Sequence, residues 1–295
     1  MEALHRPVML REALEFLDLG RARVAVDATC GEGGHTAAML ERMRSDAVLL
    51  AVDRDSEVLK VAETRLGGDA RLRLLQASYA ELPRLLDARR FGRADALLVD
   101  LGVGSFQLGR PERGFSFDST TLDMRYDRTG PGPTAADFLA GAAEEEIARV
   151  LYEFGEERRS RRIARAIVER RERSRMETGA ELAALVQRVL GRRGRIHPAT
   201  RTFQALRIFV NRELEHLERL LESLPDILSE GGRFVALSFH SIEDRLLKRA
   251  LRGYAESKRM RLLTKKVVRP TAEEVRLNRR ARSARLRAAE MLRCG

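Results

Sequence analysis

Short apolar runs closed by a polar residue punctuate the first hundred positions of the chain: Val24–Asp27, Val48–Asp53, Leu72–Gln76 and Ala96–Asp100. Continuous apolar runs of this length predict strands buried on both faces. Between them, Thr36–Arg44 and Ser56–Arg65 carry apolar positions at helical spacing. Such alternation places the strands in a parallel sheet flanked by helices, the doubly wound α/β class. Ligands of these sheets bind beyond the carboxyl ends of the strands, where Asp27, Asp53 and Asp100 fall.

From about 106 to 204 the alternation stops. A Gly/Pro-rich link, Gly130-Pro131-Gly132-Pro133, leads into helical patterns near 134–153, 156–176 and 178–190. Thr178 and Glu181 fit a capping box, and Leu182, Leu185, Val186 and Val189 mark the buried face behind it. We read residues 106–204 as a helical insertion that splits one sheet domain into 1–105 and 205–295. After His197-Pro198 the spacing of Leu206, Val210, Leu214, Leu217, Leu221 and Leu224 predicts a further helix. The sheet resumes past Gly231-Gly232 with Arg233–Phe239, and Leu262–Val268 and Ser283–Met291 supply a last pair of strands. Arg and Ala in the second of these also suit a helix.

The chain of 295 residues is 44% hydrophobic, enough for a sizeable core, but has no Trp, so Leu, Val, Ala and Ile must build it. Two cysteines, Cys30 and Cys294, exclude a disulfide framework and a cysteine-based zinc site. The first residues are charged where a secretion signal needs an apolar run, and no stretch approaches the roughly 18 apolar residues of a membrane span. The expectation is a soluble, cytoplasmic protein. Its formal charge of +11 is unevenly placed: residues 241–295 hold 17 basic and 6 acidic side chains, and the rest balances. A localised excess of this kind either binds a polyanion or is a solvated face. Nine arginines between Arg158 and Arg175, interleaved with glutamates, likewise fit either an RNA-facing stripe or internal pairing.

The first strand runs into Ala28-Thr29-Cys30-Gly31-Glu32-Gly33-Gly34-His35, a glycine-rich turn opening a helix. Such a turn lets backbone approach a ligand, with helix N–H groups aimed at it. The dinucleotide pattern G-x-G-x-x-G fails at Thr36, and the Gly-Lys-Ser/Thr of a P-loop is absent. Asp53 ends the second strand, where an acid accepts both hydroxyls of a ribose. A nucleoside ligand without a pyrophosphate fits, and S-adenosylmethionine is the obvious one. Asp100-Leu101-Gly102-Val103 ends the fourth strand. Its carboxylate is either a strand-end cap or the acceptor that orients an attacking amine. Neither cysteine stands in a late-strand loop, so covalent attack on a pyrimidine ring is disfavoured and direct transfer to N or O favoured. His240 fits two roles, a cap for the next helix or a residue of the substrate pocket.

These residues carry a resemblance. His5-Arg6-Pro7-Val8-Met9-Leu10, Gly33-Gly34-His35, Asp100-Leu101-Gly102-Val103, Arg113-Gly114-Phe115-Ser116-Phe117 and Leu122-Asp123-Met124-Arg125 are collinear motifs. So are Tyr152–Glu157, His197–Ala205 and Ser238–Arg245. Over nearly its full length the chain resembles the bacterial 16S rRNA cytosine-N4 methyltransferase family (RsmH, also called MraW). The resemblance implies a class I, Rossmann-like, S-adenosylmethionine-dependent methyltransferase sheet interrupted by a helical domain. It implies cofactor contacts from Gly33, Gly34, His35, Asp53, Tyr79, Asp100 and Gln107, and places Phe115, Phe117, His197, Arg201 and His240 near the target base. The implied substrate is a cytidine in the decoding region of 16S rRNA, met in the 30S subunit, with no metal. Two rivals are a non-catalytic RNA-binding assembly factor that keeps the cofactor pocket, and a class I enzyme acting on another nucleic acid.

Overall fold

The computed structural model describes residues 7–191 and 196–293; His5, Arg6 and Cys294 lie outside them. In chain order the elements are α1 (Leu10–Leu17), β1 (Val24–Asp27), α2 (Gly34–Arg42), β2 (Val48–Asp53), α3 (Ser56–Leu66), β3 (Leu72–Gln76), α4 (Leu82–Ala88) and β4 (Ala94–Asp100). Six helices follow: α5 (Ser105–Leu108), α6 (Ala135–Gly141), α7 (Glu144–Gly155), α8 (Ser160–Arg171), α9 (Gly179–Leu190) and α10 (Thr200–Asn211). The chain continues with α11 (Glu213–Ile227), β5 (Leu228–Ser238), α12 (Ser241–Glu256), β6 (Met260–Leu262), α13 (Ala272–Leu277) and β7 (Arg285–Met291). Two compact units result, one of residues up to Gly102 and from Glu215 onward, the other Val103–Leu214.

The first unit holds a seven-stranded sheet in the order β3-β2-β1-β4-β5-β7-β6. β1 to β5 are parallel, and β7 runs antiparallel to both β5 and β6. This is the doubly wound layout of a class I methyltransferase sheet, with the antiparallel strand next to last. Apolar side chains leave both faces. Ala25, Leu49, Leu98 and Val235 pack under α1 and α2 on one side; Val26, Leu50, Leu97 and Phe234 pack against Leu217, Leu221, Leu247 and Leu251 on the other. Full burial explains why these strands read as unbroken apolar runs.

Ser283–Met291 resolves as a strand. Its period-two pattern buries Leu286 and Ala288, while Arg287 donates to Asp244 at 2.8 Å and Arg233 meets Glu290 at 2.8 Å. Leu262–Val268 is not one strand: β6 ends at Leu262, Leu263 N and Thr264 N both donate to Ala288 O, and Val268 then bridges to Leu286. Among the described residues no helix is long and apolar enough to cross a membrane.

The second unit is helical around its own core of Phe115, Leu139, Ile147, Leu151, Ile163, Ile167, Leu182 and Leu206. Thr178 does cap α9, its hydroxyl accepting Glu181 N at 3.1 Å while Glu181 accepts Thr178 N at 3.1 Å. The long pattern 134–153 is cut at Ala142–Ala143, where three glutamates open α7 at the positive end of its dipole. The expected 156–176 helix is shorter, Ser160–Arg171. The leucine repeat after His197 spans two helices. Arg212 adopts the left-handed conformation, and Asn211 turns inward to donate to Met124 O and accept from Tyr126 N. Arg207 clasps Glu213 with two hydrogen bonds of 2.9 and 3.0 Å across the break.

Candidate functional site

The carboxyl ends of β1, β2 and β4 bring Asp27, Asp53 and Asp100 to one edge of the sheet. The chain leaving β1 is threaded between them. Ala28 N bonds Leu98 O and Cys30 N bonds Val52 O, so the glycine turn is pinned to both neighbouring strands. Gly33 has φ +80°, and a Cβ on it would sit 2.6 Å from Leu66 Cδ1; one on Gly34 would sit 2.7 Å from Pro7 Cγ. Glycine is favoured at position 33 by its left-handed backbone and at position 34 by the close approach of the Pro7 ring.

Each carboxylate is held differently. Asp27, fully buried, accepts from Thr36 Oγ1 at 2.7 Å and Thr29 N at 3.2 Å. Asp53 accepts from Gly31 N at 2.8 Å and Asp55 N at 3.0 Å, which aims it at the turn. Burial raises both to about 6 against the opposing pull of those bonds. Asp100 N donates to Thr29 Oγ1 at 2.7 Å, and its Oδ2 lies 3.6 Å from His35 Nδ1. Its Oδ1 is shut off from solvent and has no hydrogen-bond partner among the described residues. Burial first, then the charges of Asp27 and Glu243, hold Asp100 well above the usual carboxylate range. His35 Nε2 is 3.2 Å from Val8 O, which orients the ring. Burial and Asp27 also push the Cys30 thiol up, so it stays protonated and a poor nucleophile.

Tyr79 lies at the carboxyl end of β3 beside a residue that sequence reasoning missed. Ser78 Oγ is 2.5 Å from His216 Nδ1 and accepts from Ala80 N, and Tyr79 meets the His216 ring edge-on at 6.3 Å. His216 is 138 residues from Ser78 and inside a leucine-patterned helix, so no local signal marks it. Thr29 and Thr36, bonded to Asp100 and Asp27, were likewise not singled out.

His240 follows β5 and caps α12: Glu243 N donates to its Nδ1 at 3.4 Å, while Glu243 accepts from Phe239 N at 2.9 Å. The remaining expected residues lie in the second unit. Gln107 is buried on α5. Phe115 is buried in the unit's core and stacks on Tyr126 at 5.4 Å. Phe117, 36% exposed, stacks on His197 at 4.3 Å with Phe203 edge-on at 4.9 Å. Arg201 donates to Glu156 O at 3.1 Å, tying α10 to the end of α7.

A sequence model described as the MraW methylase family matches residues 2–292. A Thermotoga neapolitana protein named ribosomal RNA small subunit methyltransferase H is 47% identical over 296 residues, covering 98% of this chain and 96% of the relative. Its namesake from Dictyoglomus thermophilum is 42% identical over 293 residues, covering 98% and 97%. A solved rRNA methylase of Streptococcus thermophilus spans 99% of both chains at 14% identity, with a TM-score of 0.46.

Proposed function

The chain belongs to the MraW methylase family, and from that premise we propose that it methylates the N4 amine of a cytidine in the decoding region of 16S rRNA by direct in-line transfer. It is a methyltransferase that uses S-adenosylmethionine, and its substrate is ribosomal RNA. Finer parts of the proposal are the assembled 30S subunit as the form of RNA met and the cytoplasm as the place.

The observation that supports it best is the orphaned Oδ1 of Asp100, buried beside a glycine cradle at the carboxyl edge. A buried, unpaired carboxylate oxygen is costly unless a ligand completes it. The donor set fits the cofactor. Gly33, Gly34 and His35 offer close backbone, Asp53 keeps lone pairs for a ribose, and acidic groups surround the place of a cationic ligand. When bound, S-adenosylmethionine supplies an electrophilic methyl on a positively charged sulfur. That positive charge favours the ionised form of Asp100. Ionised, Asp100 would accept an N–H of the cytosine amine, fix its direction and take the proton the nitrogen sheds as the methyl moves from sulfur to nitrogen and the thioether leaves. Acceptance also returns electron density to a nitrogen whose lone pair is delocalised into the ring. Tyr79 and Gln107 as cofactor contacts, and Phe115, Phe117, His197, Arg201 and His240 near the base, belong to the same proposal on the strength of the motifs. Of these, the stacked Phe117–His197 pair has the geometry of a surface on which a base can lie.

The test is transfer of labelled methyl from S-adenosylmethionine to 30S subunits lacking the modification, followed by nucleoside mass spectrometry. The expected product is N4-methylcytidine at one decoding-region site. Bound cofactor without transfer favours the non-catalytic assembly factor, and label on another base or on DNA overturns the substrate.

A further inference from the structure

A run of exposed cations in the sheet unit lies along the segment that meets its carboxyl edge. β5 runs toward the carboxyl edge and β7 departs from it, Ser238 lying opposite Arg285. After β6 the chain travels back along β7 until Val268 bridges Leu286, level with Leu237 and hence with Asp100. The chain between Val268 and Arg285 thus begins and ends at the edge where the three aspartates lie. Its own contacts hold it there. Glu274 accepts Met9 N at 2.6 Å, and Ala281 and Ala284 are fully buried in the same core face as Val8 and Cys30. Arg280 feels the charge of Glu32 in the glycine turn.

Six cations of this region, Lys265, Lys266, Arg269, Arg276, Arg279 and Arg282, are exposed. None makes an ion pair or a side-chain hydrogen bond among the described residues. Elsewhere in the same C-terminal region the cations are mixed: Lys248, Arg249 and Lys258 pair with nothing among the described residues, whereas four others find partners. Arg252 pairs with Glu256 at 2.7 Å, Arg261 with Glu290 at 2.8 Å, Arg293 with Glu230, and Arg259 lies over the Tyr254 ring. Like charges so close repel one another, and a polyanion relieves that repulsion while releasing its own counterions.

We propose that residues 265–282 form a phosphate-contact surface for the RNA strand flanking the cytidine to be methylated. The inference rests on the rRNA reading above and adds where the backbone is held: along the carboxyl edge of the sheet, by six side chains that have no other partner among the described residues. Leu277, exposed in the same stretch, offers apolar surface to a sugar or base.

The test uses the full chain with two triple variants, Lys265→Gln/Lys266→Gln/Arg269→Gln and Arg276→Gln/Arg279→Gln/Arg282→Gln. The control, Arg252→Gln/Lys258→Gln, lies toward the opposite end of α12. Affinity for a 16S rRNA fragment containing the target cytidine is measured across a salt series, and affinity for S-adenosylhomocysteine reports the fold and cofactor site. Each phosphate contact contributes roughly 0.7–0.9 to the slope of log affinity against log salt, so each triple variant should flatten it by about 2–3 and weaken binding about tenfold or more. The control and all cofactor affinities should match the parent. Wild-type slope and affinity in both triple variants overturn the proposal. So does a loss seen with 30S subunits but not with naked rRNA, which would assign the edge to a ribosomal protein. Failure of the parent to methylate rRNA would sink the functional reading instead, while the slopes still report on the surface.

Discussion

Residues 158–175 and 265–282 are windows of equal length, with nine and seven basic side chains and two acidic ones each. In the first, most arginines end on protein. Arg171 donates to Leu139 O and Ala142 O at 2.8 and 2.6 Å, and Arg159 and Arg162 reach Leu190 O and Val189 O at the end of α9. Arg165, Arg170 and Arg175 pair with Glu144, Glu181 and Asp137. These guanidinium groups satisfy carbonyls left over at helix ends, where the helix dipole also favours a cation. In the second window six cations have no side-chain partner among the described residues. Two similarly basic windows thus yield an internal staple in one place and an open binding surface in the other. What separates them is a count of acceptors, which composition does not contain.

Four substitutions would break or sharpen that contrast. The largest effect belongs to the edge: Asp100→Asn should slow single-turnover methyl transfer by about 100- to 1000-fold, the usual cost of removing a preorganised polar group at the reacting atoms. Its unfolding free energy should not fall, because Asn keeps the shape of the carboxyl and removes the cost of ionising a group beside Asp27 and Glu243. Undiminished transfer removes Asp100 from the chemistry.

Next comes pH. The folded protein holds the Asp27 proton more tightly than an ordinary aspartate, with its value at about 6 rather than 3.8. The stability this contributes is therefore fully present below pH 3.8 and is lost as pH rises through 6. The gap corresponds to about 3 kcal/mol. Urea denaturation of ligand-free protein should show that fall, and Asp27→Asn should reduce it. A variant curve parallel to the parent's would assign the fall to other groups.

Third, Arg171→Met should destabilise by about 2 kcal/mol, since two buried carbonyls lose a charged donor. Its RNA affinity should be unchanged once the protein is folded. A drop in affinity without one in stability would turn α8 into part of the RNA surface. The smallest effect is Arg279→Gln. Stability should stay within about 0.5 kcal/mol, as for exposed sites without partners. The salt slope for RNA should nonetheless flatten by roughly 0.7–0.9.

Much of the sheet was legible because burial on both faces leaves a continuous apolar run, and its polar terminus marks the ligand edge. Val24–Asp27 and Val48–Asp53 coincide with β1 and β2 for this reason; Leu72–Gln76 coincides with the edge strand β3 although Arg73 interrupts it and only Leu72 is buried. The capping box at Thr178 was legible for a related reason: its two partners are three residues apart. Features that depend on distant partners were not. The break at Arg212 is set by Asn211 reaching Met124 and Tyr126, and the leucine spacing runs through it undisturbed. The split of α6 from α7, the His216–Ser78 bond and the partners of the α8 arginines are of the same kind. At the site, the identities of Asp53 and Asp100 were readable, whereas the raised proton affinity of Asp100 arises from burial and from Glu243, far along the chain.

The order β5-β7-β6 has a consequence for how the chain acquires its structure during synthesis. β7 is translated after β6 yet lies between β6 and β5. Until Arg285–Met291 has left the exit tunnel, β6 has no strand to join and β5 keeps one side of its ladder open. Closure of the sheet therefore waits for that seven-residue segment, and a nascent chain halted before it presents an unpaired edge to any neighbour. Pulse-labelled fragments ending before and after β7 should differ sharply in protease resistance.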